Sequence, residues 1–382
     1  MGPRRRPAAA QVAVERARNA QLVAASTVQT FGLSVLESAA IRPNTQRQYH
    51  NRLATLALFC RTYRLDWDSW ESLDSAVTAL LNYQFLDGKC SDLGTQLIAA
   101  LSHVYPSLAR RSGLYLPRAC RAAGAWKRRA PGRSRLPMPK TGAAAIAGVM
   151  LYNGRRRMAI YTMLTFICYL RPLEGIALLG RHLVAPVSAA GPSYASWGLL
   201  LHDFDLGQPS KTGTTDDAVL IDLDSWILPT LEGLQAATHA DASLWDFDAT
   251  EFRLTFKAAA DLLGLGQLAP HPYSLRHGGA SDDLLTRRRS LEQVQARGRW
   301  VSASSLRRYT KATRLLRELQ EVHSDVFSFG DFVMNQFTAL VEHGLTGPLF
   351  DQAPASVRAL LTASPTAGVT SAGGRKRRRP AA

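Results

Sequence analysis

The chain has 382 residues, with 46 Lys and Arg against 30 Asp and Glu, and a formal net charge of +16. Hydrophobic residues make up 46% of it, enough for more than one core, which excludes a wholly disordered chain. The cationic excess points to a polyanionic partner, most simply nucleic acid; an anionic membrane surface fits less well, because no long basic amphipathic helix stands out. No apolar run reaches about 18 residues, so no membrane span is expected. Arg4-Arg5-Arg6 lacks the apolar core of a secretory signal. Cys60, Cys90, Cys120 and Cys168 form no CxxC pair and lie near no histidine at zinc spacing, so they read as reduced, mostly buried thiols.

Residues 1–40 are rich in alanine, carry early arginines and lack a strong apolar stripe, so they read as a partly flexible arm. Asn44-Thr45 then looks like a helix start, since both residues cap well. From there Tyr49, Leu53, Leu56, Ala57 and Phe59-Cys60 recur at helical spacing. Leu73-Asp74 opens a second predicted helix through Val77, Leu80, Leu81 and Tyr83, and a third runs from Leu93 to Val104. These give an all-helical unit over 41–130. Residues 107–140 hold ten Lys or Arg and no Asp or Glu, and Pro131, Pro137 and Pro139 forbid a continuing helix. The proline-rich end of this stretch, 131–141, reads as a basic linker, and it suits a chain wrapped around DNA.

Periodicity returns at Gly142. Arg156 to Tyr169 is a predicted buried helix that ends at Leu170-Arg171-Pro172. Two strands follow, Ser196 to His202 and Ala218 to Leu223, with turn chemistry between them that puts Lys211 near a hairpin tip. Further helices are expected at Asp224–Ala237, Thr250–Leu263, Gly279–Thr286, Leu291–Ala296 and Ser302–Thr310. The second unit, 142–325, is thus mostly helical with a small antiparallel sheet. An apolar segment at 326–352, from Val326 and Phe327 to Leu340 and Val341, has two readings: packing on its own domain, or a helix donated to a neighbouring protomer. Residues 353–382 are low in complexity and read as disordered. They end in Arg375-Lys376-Arg377-Arg378-Arg379, a nuclear-import candidate or an extra DNA contact.

The chemistry-bearing run is Tyr273-Ser274-Leu275-Arg276-His277. Trp300 comes 24 residues after Arg276, in Gly298-Arg299-Trp300, and Tyr309 nine residues later, in Arg307-Arg308-Tyr309. Arginines, an indole N–H and an isolated phenol are the parts needed to attack a phosphodiester without a metal. This order resembles the catalytic pattern of the tyrosine recombinase (phage-integrase) family: Arg, Lys, His/Lys-x-x-Arg, His/Trp, Tyr. On that resemblance the first arginine is Arg171, with Glu174 orienting it, the lysine is Lys211, the second arginine Arg276, the His/Trp position Trp300 and the nucleophile Tyr309. The unit at 41–130 is similar to the family's core-binding domain.

The resemblance implies a two-domain DNA clamp, mainly α with a small antiparallel β-sheet. The implied enzyme cleaves and rejoins double-stranded DNA through a 3′-phosphotyrosyl link, with no cofactor, metal or ATP, as a tetramer on paired sites. The tail suggests a nuclear, mobile-element copy. One position departs: Tyr273 stands where the family usually has His or Lys, and a phenol is a poor proton shuttle at neutral pH. Activity is then slower, or His271 or His277 substitutes, or the copy is a domesticated DNA binder. A monomeric relaxing enzyme like type IB topoisomerases would share the chemistry. Arg128, Arg129, Arg133, Arg135, Arg287, Arg288, Arg289, Arg297, Arg299, Arg307 and Arg308 are expected to track phosphates.

Overall fold

A computed structural model describes residues 34–109, 114–131, 136–201, 217–222, 225–302 and 312–363. The chain divides into two compact units, 1–134 and 135–382. Its described residues are mainly helical, with one three-stranded antiparallel sheet.

The first unit holds α1 (Val35–Ala39), α2 (Pro43–Tyr63), α3 (Trp70–Leu86), α4 (Asp92–Val104) and α5 (Pro117–Arg129). Ser69, in extended backbone, caps α3 by accepting from the Ser72 amide. Leu56, Val77, Leu80, Leu81, Leu97, Leu101 and Trp126 form the core. Helix α5, Pro117–Arg129, closes the stretch expected to be helical, just before the proline-rich segment. The buried carboxylate of Asp74 accepts from the Arg118 and Ala119 amides, at 3.0 and 2.8 Å. It thereby satisfies the first turn of α5 and faces its positive dipole end. Trp126 is buried, while Lys127, Arg128 and Arg129 are exposed at the far end. Arg133 and Arg135 lie outside the described residues.

The second unit contains α6 (Lys140–Tyr152), α7 (Arg156–Ile167), α8 (Pro172–Ile176), β1 (Leu183–Val184), β2 (Gly198–Leu201), β3 (Asp217–Leu220), α9 (Leu228–Ala236), α10 (Ala249–Leu262), α11 (Tyr273–Leu285), α12 (Leu291–Arg297), α13 (Ala312–Leu319), α14 (Ser324–Asn335), α15 (Phe337–His343), α16 (Gly347–Asp351) and α17 (Ala355–Ala363). Helix α6 is buried from Gly142 to Leu151 and packs against α7, α10 and α14. The sheet order is β1-β2-β3, with Leu199 opposite Val219 and Leu201 opposite Asp217. Leu199, Leu201 and Val219 turn into the core. The predicted hairpin tip with Lys211 lies outside the described residues.

Val326, Phe329, Val333 and Phe337 are buried in the core of this same unit, so the apolar segment packs at home and the donated-helix reading is corrected. Gly330 makes the fit possible: a Cβ there would stand 2.0 Å from the Thr141 carbonyl oxygen. Gly330→Ala is therefore expected to destabilise the chain by about 1–3 kcal/mol in urea unfolding; unchanged stability would mean that α14 does not lie on α6 in solution. The expected disorder from residue 353 is corrected as far as Ala363, because α17 buries Val357 and Leu361 one turn apart.

Candidate active site

The site is built where α7 ends. Tyr169 takes φ 48°, a left-handed backbone that costs a non-glycine residue about 1–2 kcal/mol. That turn stops α7 and sends the chain into Arg171, which caps the short α8 in extended backbone. The Arg171 carbonyl accepts from the Glu174 and Gly175 amides, at 2.9 and 3.0 Å. Glu174 answers by accepting from the Arg171 amide at 3.1 Å and pairing with its Nη1.

Glu174 also pairs with Arg299 Nη2 at 2.7 Å. Its side chain is 6% exposed. Burial alone pushes its pKa up, but Arg299 and Arg171 together outweigh that and hold it at about 2. The folded value lies below the ordinary 4.5, so this carboxylate stabilises the fold above pH 4.5, and the contribution is lost as pH falls towards 2. Glu174→Gln is expected to lose about 3–5 kcal/mol at neutral pH, since it strands the buried Arg299 guanidinium and the half-buried one of Arg171. The gap to wild type, followed by urea unfolding, should close across that acid window; a gap independent of pH would rule out charge pairing as its cause.

Arg276 lies on the first turns of α11, and its side chain is fully buried. Gly278 and Gly279 allow this: Cβ atoms there would stand 2.2 Å from the Met138 carbonyl oxygen and 2.0 Å from that of Phe166. Helix α11 therefore lies directly on the end of α7. Arg276 Nη1 donates to the Tyr169 carbonyl and Nη2 to the Gly298 carbonyl. Its Cζ sits 4.5 Å from the Trp300 ring centroid, a cation–π contact. Its Nε, like that of Arg299, is buried with no hydrogen-bond partner among the described residues. Burial first, then repulsion from Arg299, pushes the Arg276 pKa down to about 10, so the group stays charged at neutral pH.

Three guanidinium groups thus gather about one carboxylate, an arrangement whose positive surplus favours an anion. Trp300 contributes its ring as a wall beside Arg276, a contact the sequence reading, which used it as a donor, did not include. Tyr273 opens α11; its amide donates to His271 Nδ1 at 3.1 Å, and its ring lies 5.1 Å from that of His277. Tyr309, Lys211, Arg307 and Arg308 lie outside the described residues.

The arginines expected to line a phosphate track divide. Arg287 and Arg288 are exposed, Arg288 3.2 Å from Asp222. Arg289, Arg297 and Arg299 turn inwards instead. Arg289 bridges Asp283 and Asp222. Arg297 donates to the Ile167 carbonyl at 3.0 Å and to the Leu220 carbonyl at 2.8 Å. Sequence reading also missed Tyr169, whose buried phenol donates to Asp283. Its position directly before Leu170-Arg171 was the only available signal.

Among the described residues no helix is long and apolar enough to cross a membrane. No family model matches the chain, and no curated protein matches it. Among solved structures it is similar to a crystal structure of XerA recombinase at 13% identity, over 75% of this chain and 95% of that one, with a TM-score of 0.30.

Proposed function

We propose that this protein is a tyrosine-type DNA recombinase that breaks and rejoins DNA without metal or ATP. The observation that carries the reading is the cationic cluster: Arg171, Arg276 and Arg299 around Glu174, walled by Trp300. A phosphodiester under attack gathers negative charge on its non-bridging oxygens, and preorganised buried guanidinium groups stabilise that charge more strongly than water would. Arg171, with a side chain 16% exposed, is the first of the three to meet a backbone phosphate. Arg276 and Arg299 add positive potential from behind it, little screened because both are buried.

Tyr309 Oη attacks phosphorus, the 3′-phosphotyrosyl bond forms, and the bond to the 5′ oxygen breaks. Lys211 donates the proton that the leaving 5′ oxygen takes. The phenol proton passes to an imidazole, and His271 and His277 flank Tyr273 on the same helix start. The phosphoryl bond energy stays in the protein–DNA link, so rejoining is the reverse step. Strand exchange requires paired sites and hence several protomers, four in the proposed assembly. The basic run at 375–379 directs the chain to the nucleus.

A second reading, a DNA-binding copy that no longer cuts, has two observations in its favour. Tyr273 occupies the expected His/Lys position, and Arg276 is wholly buried with both terminal nitrogens engaged by carbonyls. A duplex nicked close to the cut site separates the two, because the short 5′ fragment diffuses away and traps the covalent link. An active recombinase gives a protein–DNA adduct on a denaturing gel with EDTA present. A retired copy binds the duplex and gives no adduct.

A further inference from the structure

Tyr169 touches two groups of the site, Arg276 and Trp300, and links them to a further ion-pair chain. Its carbonyl oxygen accepts from Arg276 Nη1. Its ring centroid lies 6.3 Å from that of Trp300 and 5.5 Å from the Arg297 Cζ. Its phenol donates to Asp283, which also pairs with Arg289. Arg289 continues to Asp222, two residues beyond β3. The residue is 1% exposed and holds a left-handed backbone that a tyrosine keeps only where its surroundings fix it. It is no second nucleophile, because its hydroxyl is buried, engaged by a carboxylate and harder to ionise than a free phenol.

We propose that Tyr169 is a positioning residue for Arg276, with Asp283 as its anchor; the catalytic consequence rests on the proposed role of Arg276 in the positive potential behind the phosphate. The phenol hydrogen bond fixes the ring, the ring fixes the backbone twist at φ 48°, and the twist aims the carbonyl at Arg276. The Gly298 carbonyl holds the other terminal nitrogen, so two points set the guanidinium edge. The Trp300 ring, 4.5 Å away, bounds one face. Through Arg289 and Asp222 the same anchor reaches the end of β3, so the sheet and Arg276 share one fixed reference.

The test uses the full chain carrying Tyr169→Phe or Asp283→Asn. Arginine labelled with 15N reports the Arg276 Nε–Hε resonance, assigned by its loss in Arg276→Lys. A nicked duplex reports the cleavage rate at saturating DNA, and Kd for the same duplex is measured in parallel. In Tyr169→Phe the Arg276 resonance should shift or broaden, and cleavage should slow by roughly 10- to 100-fold with Kd unchanged. Asp283→Asn, whose amide oxygen still accepts from the phenol, should fall between this variant and wild type. An unmoved Arg276 resonance, a wild-type rate, or equal losses in rate and affinity would overturn the proposal. A wild-type chain that never cleaves, yet whose Arg276 resonance moves in Tyr169→Phe, keeps the positioning link and removes the recombinase reading.

Discussion

Tyr309→Phe is expected to abolish covalent capture of DNA while leaving DNA affinity near that of wild type. The substitution removes one oxygen and no charge, so every arginine contact to phosphate remains. A phenylalanine ring offers no atom to bond phosphorus, so the loss should be complete rather than partial. Affinity is the necessary control, since it shows that the protein still docks. It should be measured at a stated salt concentration, because binding through phosphate contacts falls steeply with salt. Adduct that persists in the variant would move the nucleophile elsewhere.

Arg276→Lys is expected to slow cleavage by roughly 10- to 100-fold, because it displaces preorganised positive charge from behind the phosphate that Arg171 meets. Charge is preserved, so the effect isolates geometry. Arg276 spans two carbonyls, those of Tyr169 and Gly298, and lies against the Trp300 ring. A lysine ammonium is a compact point charge on a flexible stem and cannot hold both carbonyls in one plane. A thermal melt should accompany the rates, because the side chain is fully buried. Single-turnover rates on nicked DNA that match wild type would remove Arg276 from the chemistry.

The helical frame was legible wherever an apolar stripe carries it. Leu56 and Cys60, then Val77, Leu80 and Leu81, lie on buried faces at helical spacing. The start of α3 was read late because Trp70, its first residue, is partly exposed and its cap is the earlier Ser69. Helix α5 was hidden by its own charge, since only Ala119 and Trp126 are buried along it. Gly279 was read as the start of a helix; it is the middle of one, where the missing side chains of Gly278 and Gly279 admit the Met138 and Phe166 carbonyls. Strand β1, two residues long, is too short to leave a pattern. The low-complexity composition of the tail concealed the pair Val357 and Leu361.

At the site, the motif order brought Arg171, Glu174, Arg276 and Trp300 into view, because each sits beside a local punctuation mark. Arg171 precedes a proline, and Trp300 follows Gly298-Arg299. The partners that organise them carry no such mark. Arg299 looked like one more basic surface residue, yet its guanidinium closes on Glu174, 125 positions away in sequence. Asp222 and Arg289 are 67 positions apart and meet only in the folded chain. A buried ion pair between distant elements leaves no periodic or compositional trace, so only packing reveals it.

If this cationic basin serves one phenolic nucleophile, peptide mapping of the covalent adduct from a nicked duplex will find the nucleotide on the tryptic peptide Tyr309-Thr310-Lys311, formed with EDTA present. Attachment to any other residue, or tight DNA binding with no adduct at all, contradicts it.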